Sequence, residues 1–400
     1  MNVTSKRGNK SLWEIARTFL KLGALSYGGP AIMGIMQAEL QEKRQWLSKE
    51  RFLEGLALVN MLPGPVATQL GIFIGHDRAG WRGGVIAGLC FMLPAFLILL
   101  ALTLAYSAYG SVGVARDAFY GIGPIVLAIF AVAVYRLGRN ALKGTGQIVI
   151  ALVAALLVAV TPLGIGTVLM LAACAGVALY QSRQRGLAAA TTVCALVGAM
   201  YLIGPTVAPA ADITPAQPTL LQLAIFFIKT GALTFGGGIT VLAFVQQQVV
   251  DQLQWLTPRE FLDGLALGQL TPGPILMVAA YVGYKTAGIA GAMVSAFAIF
   301  LPAFVLMLSL MPVLARFKHV LWVKAAMRGT SAAVIGCLAV TLARLLPHAA
   351  PDAFALILFC AGVTVLLAWR LGPLQLVLAG GALGLAARWK PLQRLKELTY

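Results

Sequence analysis

The chain has 400 residues, 60% of them hydrophobic and only 11% charged, with a formal net charge of +17 and a mean hydropathy of +0.88. Soluble domains carry about 25% charged residues, so the composition excludes a soluble globular protein and indicates a polytopic membrane protein. The cations are spread over short loops between apolar spans, which points to positive-inside topology and anionic lipid rather than to nucleic acid.

Lys6, Arg7 and Lys10 precede Trp13, and the apolar run that follows lacks a small-residue cleavage site, so no removable signal peptide is expected. Stretches long enough to cross or nearly cross a bilayer fall at 17–37, 52–75, 83–109, 118–136, 146–161, 163–181 and 186–206. A turn-rich linker with Pro205, Pro209, Asp212, Pro215 and Pro218 comes next, and then 221–246, 261–286, 288–314, 323–346, 353–369 and 372–388. The pattern is six segments, one extra, and six more, or about 13 in all.

The two sets of six are related. FLKLGALSYGGP at 19–30 returns as FIKTGALTFGGG at 227–238, shifted by 208 positions. WLSKERFLEGLALVNMLPGP at 46–65 returns as WLTPREFLDGLALGQLTPGP at 255–274, shifted by 209, and LPAF occurs at 93–96 and 301–304. Such a period is too long for a solenoid and fits two homologous halves, here 1–185 and 221–400, joined by an extra segment and linker at 186–220. The unmatched segment turns the second half upside down. The expected fold is therefore all-α, with two inverted-topology repeats whose interface holds a substrate near the midplane.

Gly28-Gly29-Pro30, Gly236-Gly237-Gly238, Pro63-Gly64-Pro65 and Pro272-Gly273-Pro274 interrupt the first two segments of each half. Proline breaks the hydrogen-bond ladder and glycine permits reversal; such backbone is tolerated at membrane depth only inside protein or beside a water-filled cavity. Each break also starts a half-helix, with proline suited to its first position and exposed N–H groups that form an anion site. These segments either cross or re-enter. Re-entrance moves Lys43, Arg44, Lys49 and Arg51 to the cytoplasmic side and Arg259 away from it, which the positive-inside rule favours weakly. The basic C-terminal tail lies outside in either arrangement, against that rule.

Several polar residues recur at motif positions. Lys21 and Lys229 either snorkel to the interface or attract an anion as point charges. Glu54 and Asp263 stand about nine residues before PGP. They either stabilise the dipole of a helix that starts at the N-caps Ser48 and Thr257, or exchange a proton during coupling. Asn60 and Gln269, one turn before the break, either donate to an oxyanion or satisfy interrupted backbone. Arg116 with Lys324, and Arg136 with Arg344, align at the same shift, and interface anchoring is their default. Arg78 and Arg82 lack basic counterparts.

The five cysteines lie singly in apolar segments and the three histidines are far apart in sequence, so no disulfide, metal or haem site is expected. No phosphate-binding loop, protease, esterase or dinucleotide fingerprint occurs. These absences argue against an ATP-driven pump, and the expectation is a protein that is not an enzyme and has no cofactor.

The paired motifs F-x-K-x-G-A-L-[ST]-[YF]-G-G, W-L-[ST]…F-L-[ED]-G-L-A-L and PGP resemble those of the chromate ion transporter family in its long, two-domain form, over essentially the whole chain. The resemblance implies a multi-pass protein of the cytoplasmic membrane that exports chromate with the proton-motive force, confers resistance, and meets sulfate as a competing analogue. It also implies 13 spans and antiparallel halves. The first half reads Gly-Gly-Pro where the second reads Gly-Gly-Gly, so the two sites need not be equivalent. On this reading the partners are chromate, protons and membrane lipids, and a homo-oligomer is compatible with it. The alternatives are an importer or exchanger of sulfate or another small anion, and a passive anion channel; an intramembrane enzyme is the weakest reading.

Overall fold

The computed structural model describes residues 12–27, 29–60, 62–110, 112–161, 163–203, 218–234, 238, 240–310, 321–369 and 371–388. Gly28, Gly236 and Gly237, and the linker at 204–217, lie outside the described residues. Among the described residues the chain is helical throughout. The first half holds α1 (Leu12–Leu25), α2 (Gly29–Met36) running into a π-helix at Gln37–Lys43, α3 (Lys49–Val59), α4 (Val66–Tyr109), α5 (Gly113–Ala141), α6 (Thr145–Val160) and α7 (Ile165–Tyr180). After α8 (Arg183–Ile203) come α9 (Leu220–Ala232), α10 (Thr240–Val245) with a π-helix at Gln246–Gln252, α11 (Pro258–Leu270), and a 3-10 turn at Ile275–Met277 leading into α12 (Val278–Leu310). The chain then forms α13 (Leu321–Ala349), α14 (Ala353–Ala368) and α15 (Pro373–Arg388).

Helix starts follow local chemistry. Ser48 accepts the Arg51 amide at the head of α3, and Thr257 forms a capping box with Glu260 at the head of α11, as the sequence leads one to expect. Gln45 and Gln254, just before these caps, both take positive φ, 49° and 51°.

The first two segments of each half fold back on themselves. α1 and the π-arm meet through Glu14 and Arg44 (3.8 Å) and through the Phe19 and Trp46 rings (6.3 Å between centroids). α3 and the start of α4 meet through Arg51 and Asp77 (2.8 Å), with Gly55 against the Phe73 ring. α11 and the start of α12 meet through Glu260 and Lys285 (2.8 Å), with Gly264 against the Tyr281 ring. The last two ion pairs occupy equivalent positions with reversed polarity. In the α3 and α11 hairpins the Pro-Gly-Pro breaks form the tip.

α4 and α12 each contain a second reversal. Ala79 and Gly80 leave helical geometry, with φ of −141° and 64°, and Ala287 and Gly288 do so with −145° and 64°. A φ near +60° suits glycine because it has no Cβ. Beyond the turn the arms touch backbone to backbone, Gly75 on Gly83 and Gly283 on Gly291. The arm 66–78 is about 20 Å long, short of the roughly 30 Å apolar thickness of a bilayer, whereas 81–109 reaches about 43 Å. Among the described residues four helical stretches are long and apolar enough to cross a membrane, and shorter apolar helices accompany them. The molecule is thus an all-helical, multi-pass membrane protein.

The halves are interleaved. α5 packs against α14 and α15, and α13 packs against α6 and α7. Small residues let the backbones approach, Gly121 meeting Gly380 and Gly384, and Gly329 meeting Ala172 and Gly176; such close approach drives helix association in lipid. Arg136 donates to the Leu366 carbonyl at the end of α14 (2.7 Å). Its counterpart Arg344 donates to the Val158 carbonyl at the end of α6 (2.9 Å) and pairs with Asp251 (2.7 Å). These arginines therefore cap C-terminal carbonyls across the halves, a more specific task than the interface anchoring expected from sequence.

Candidate functional site

The hairpin tips bond crosswise. The Gly64 amide donates to the Thr234 carbonyl (2.6 Å), and the Gly273 amide donates to the Ser26 carbonyl (2.7 Å). Gly64 and Gly273 take φ of 125° and 98°; a side chain at Gly64 would press on the Gln69 amide group, and one at Gly273 on the LPAF alanine Ala95 of the other half. The dihedral requires glycine at both positions, and at Gly273 the space does so too. Pro65 and Pro274 stand at the N-caps of the returning arms, and Gly29 and Pro30 open α2. Gly238, at φ 92°, packs on Leu276. Pro63 accepts a hydrogen bond from the Gln69 amide group (2.6 Å). Near these tips the buried Ser26 Oγ, Thr68 Oγ1 and Gln69 Oε1 have no hydrogen-bond partner among the described residues. Pro272 precedes the Gly273 bend on the second tip.

The structure does not bring every sequence candidate into the tips. Lys21 and Lys229 are exposed on α1 and α9, opposite the buried Phe19 and Phe227. Asn60 is exposed and its amide group donates to the Leu56 carbonyl (2.7 Å), satisfying the end of its own helix. Gln269 is half-buried.

The two acidic candidates sit in opposite surroundings. Asp263 is 4% exposed; it accepts from the Tyr106 hydroxyl (2.5 Å) and lies 3.5 Å from Arg259. Glu54 is exposed and pairs with Arg51 (2.9 Å). The neighbouring leucines follow suit, Leu262 at 1% exposure and Leu53 at 49%. α11 is covered by α5, α13 and α15, whereas the matching face of α3 stands open at Leu53, Glu54, Ala57 and Asn60. One repeat is closed over its hairpin and the other is not.

Next to Asp263 lies a cavity of about 560 Å³, lined among others by Tyr106, Arg116, Tyr120, Arg259, Lys285 and Arg388. Sequence reasoning noted Arg116 as an interface anchor and missed the rest of this basic group. A signal did exist: the shift of 208 matches Tyr120 to Arg328 and Tyr180 to Arg388. Arg388 stacks on Tyr120 at 4.0 Å and Arg328 on Tyr180 at 5.5 Å, so the contact persists with its partners exchanged. Seeing it requires knowing that α5 meets α15 and that α13 meets α7.

Comparison with known proteins fits this architecture. A family model described as "Chromate transporter" matches residues 13–179 and again 221–385. The chain is 33% identical to the chromate transport protein of Cupriavidus metallidurans over 94% of this chain and 93% of that protein. It is 34% identical to a probable chromate transport protein of Synechococcus elongatus, over 92% of this chain and 94% of that protein. It is also 34% identical to the chromate transport protein of Pseudomonas aeruginosa, over 93% and 91%. No solved structure matches the chain.

Proposed function

Because the chain belongs to the chromate transporter family, we propose that it is a secondary transporter that exports chromate across the cytoplasmic membrane, driven by the proton-motive force, with sulfate as a competing analogue. Following the chain supports inverted repeats. The first hairpins open at one membrane face, and the long arm of α4 with α5, α6, α7 and α8 then makes five crossings. An odd number delivers α9 to the opposite face, so the second pair of hairpins enters from the other side. Counted this way, the chain has re-entrant hairpins at 12–45, 49–79, 220–253 and 258–287 in place of some of the 13 spans. The Lys/Arg-rich end, with Lys43, Arg44, Lys49, Arg51, Arg78 and Arg82, is cytoplasmic.

The observation that carries the transport reading is the unequal burial of Glu54 and Asp263. Two repeats with the same motif, one shut and one open, are what an alternating-access carrier adopts in either end state. Chromate binds between the tips, at the half-helix starts of Gly28–Pro30, Gly64–Pro65, Gly236–Gly238 and Gly273–Pro274, where N–H dipoles favour an oxyanion. Asn60 and Gln269 reach it as the hairpins move. Lys21 and Lys229 supply positive potential along the outer faces of α1 and α9. Glu54 and Asp263 exchange protons as their repeats open and close.

The test is chromate uptake into everted membrane vesicles, with and without an uncoupler and with excess sulfate. Uptake that collapses with uncoupler is expected, and the Lys21→Ala/Lys229→Ala double variant should lose it while still reaching the membrane. Flux that only follows the chromate gradient would replace the pump with a channel. Normal transport by the double variant would remove the lysines from the mechanism.

A further inference from the structure

The basic cavity beside Asp263 sits at one end of the molecule, apart from the tips. The turn after α4, the start of α5, the heads of α11 and α14 and the end of α15 surround it. Arg116, Arg259, Lys285 and Arg388 converge on it. Their charge is incompletely countered. The nearest carboxylate to Arg388 is Asp117 at 3.4 Å, and Arg259 faces Asp263 at 3.5 Å, while the other Asp263 oxygen accepts from Tyr106. Lys285 alone has a close partner, Glu260 at 2.8 Å. The Arg116 side chain is exposed and makes no ion pair or hydrogen bond among the described residues. Asp352 is engaged by the Tyr120 hydroxyl (2.6 Å), which with the Ala355 amide holds its carboxyl below the usual carboxylate range.

The repeat makes the concentration of charge specific to this end. The positions equivalent to Arg259, Lys285 and Arg388 in the first half are Glu50, Asp77 and Tyr180; only Arg116 keeps a basic counterpart, Lys324. The ion pair Arg51–Asp77 is reversed to Glu260–Lys285, and the stacked pair Arg328–Tyr180 is matched by Tyr120–Arg388. Both exchanges bring a cation to the cavity's rim. The positive-inside rule places cations at the other end of the chain, so topology does not account for these four. Guanidinium groups with unfilled donors favour planar two-point contact with oxyanions, and the space exceeds that of one tetrahedral dianion with part of its hydration shell.

We propose that this cavity is a second binding site for a tetrahedral oxyanion dianion, separate from the hairpin tips and facing the exit side. Arg116 and Arg388 act as its principal ligands, and Arg259 and Lys285 supply the surrounding potential. The assignment of an exit side rests on the export reading; the site itself does not.

The test is equilibrium dialysis of radiolabelled sulfate and chromate against the full-length protein in nanodiscs of zwitterionic lipid. Arg116→Gln is the first variant, because the side chain is exposed and its loss leaves no partner stranded. Loss of one charge-assisted contact predicts about tenfold weaker dianion binding, with partial recovery in Arg116→Lys. The Arg116→Gln/Arg388→Gln pair should lose the site. Unchanged affinity in Arg116→Gln and in the pair would overturn the assignment. A second set of discs contains phosphatidylglycerol: equal binding in both supports a free dianion, and displacement of sulfate by this lipid would mean that the cavity holds a lipid headgroup and would overturn it. Vesicle transport separates the two readings. Arginine-dependent sulfate binding without any chromate flux keeps this site and discards the export reading, whereas uncoupler-sensitive flux with arginine-independent binding does the reverse.

Discussion

Asp263→Ala and Glu54→Ala change equivalent positions of one motif, yet the structure assigns them different costs. Removing the Asp263 carboxylate strands the Tyr106 hydroxyl, bonded at 2.5 Å, and takes the nearest anion from Arg259. Hydrogen bonds to charged groups contribute about 1.5–3 kcal/mol, and a stranded buried partner costs about 1–3 kcal/mol more. The expected loss is therefore about 2.5–6 kcal/mol. Glu54 is exposed and forms its ion pair with Arg51 at 2.9 Å, and exposed pairs contribute about 0–1 kcal/mol. Equilibrium unfolding in mixed detergent micelles would measure both variants against the parent protein. Equal costs, or a larger cost for Glu54→Ala, would refute the claim that the two repeats rest in different states.

Two further comparisons use the same design. Gly80→Ala meets no atom within 4 Å, so its cost is the positive-φ backbone alone, about 1–3 kcal/mol; Gly75→Ala drives a Cβ into the Gly83 carbonyl and Ala87 and should cost more, or prevent the fold-back, as judged by yield of folded protein after detergent extraction. Arg136→Met should destabilise by about 1.5–3 kcal/mol through its single carbonyl contact; Arg344→Met should exceed it because Asp251 also loses its ion pair and keeps only the Gln246 amide group, and the reverse order in unfolding experiments would contradict the capping roles.

Much of the architecture is legible in the residues. The caps at Ser48 and Thr257, the breaks at the PGP triplets and the gap between the segments ending at 75 and starting at 83 are all local signals, and all correspond to features of the fold. The exposure of Lys21 is local too, since Arg17 and Lys21 fall four apart on the face of α1 opposite Ile15, Phe19 and Leu22. What is not legible depends on partners distant in sequence. Glu54 and Asp263 have nearly the same neighbours along the chain, and only the packing of α11 against α5, α13 and α15 distinguishes them. The basic cavity draws on six separate stretches, and no single stretch carries an anion-binding pattern.

The exchange of helices between the halves has a consequence for how the protein is made. α5 leaves the ribosome long before α14 and α15, so the surface around Gly121 that they cover must wait among lipids, and Arg136 must wait for the α14 carbonyl it will cap. The first half is thus a template completed by the second, and a nascent chain stopped in the linker has no partner for its central helix. Two separately produced halves should be short-lived alone and stable only when they are inserted together.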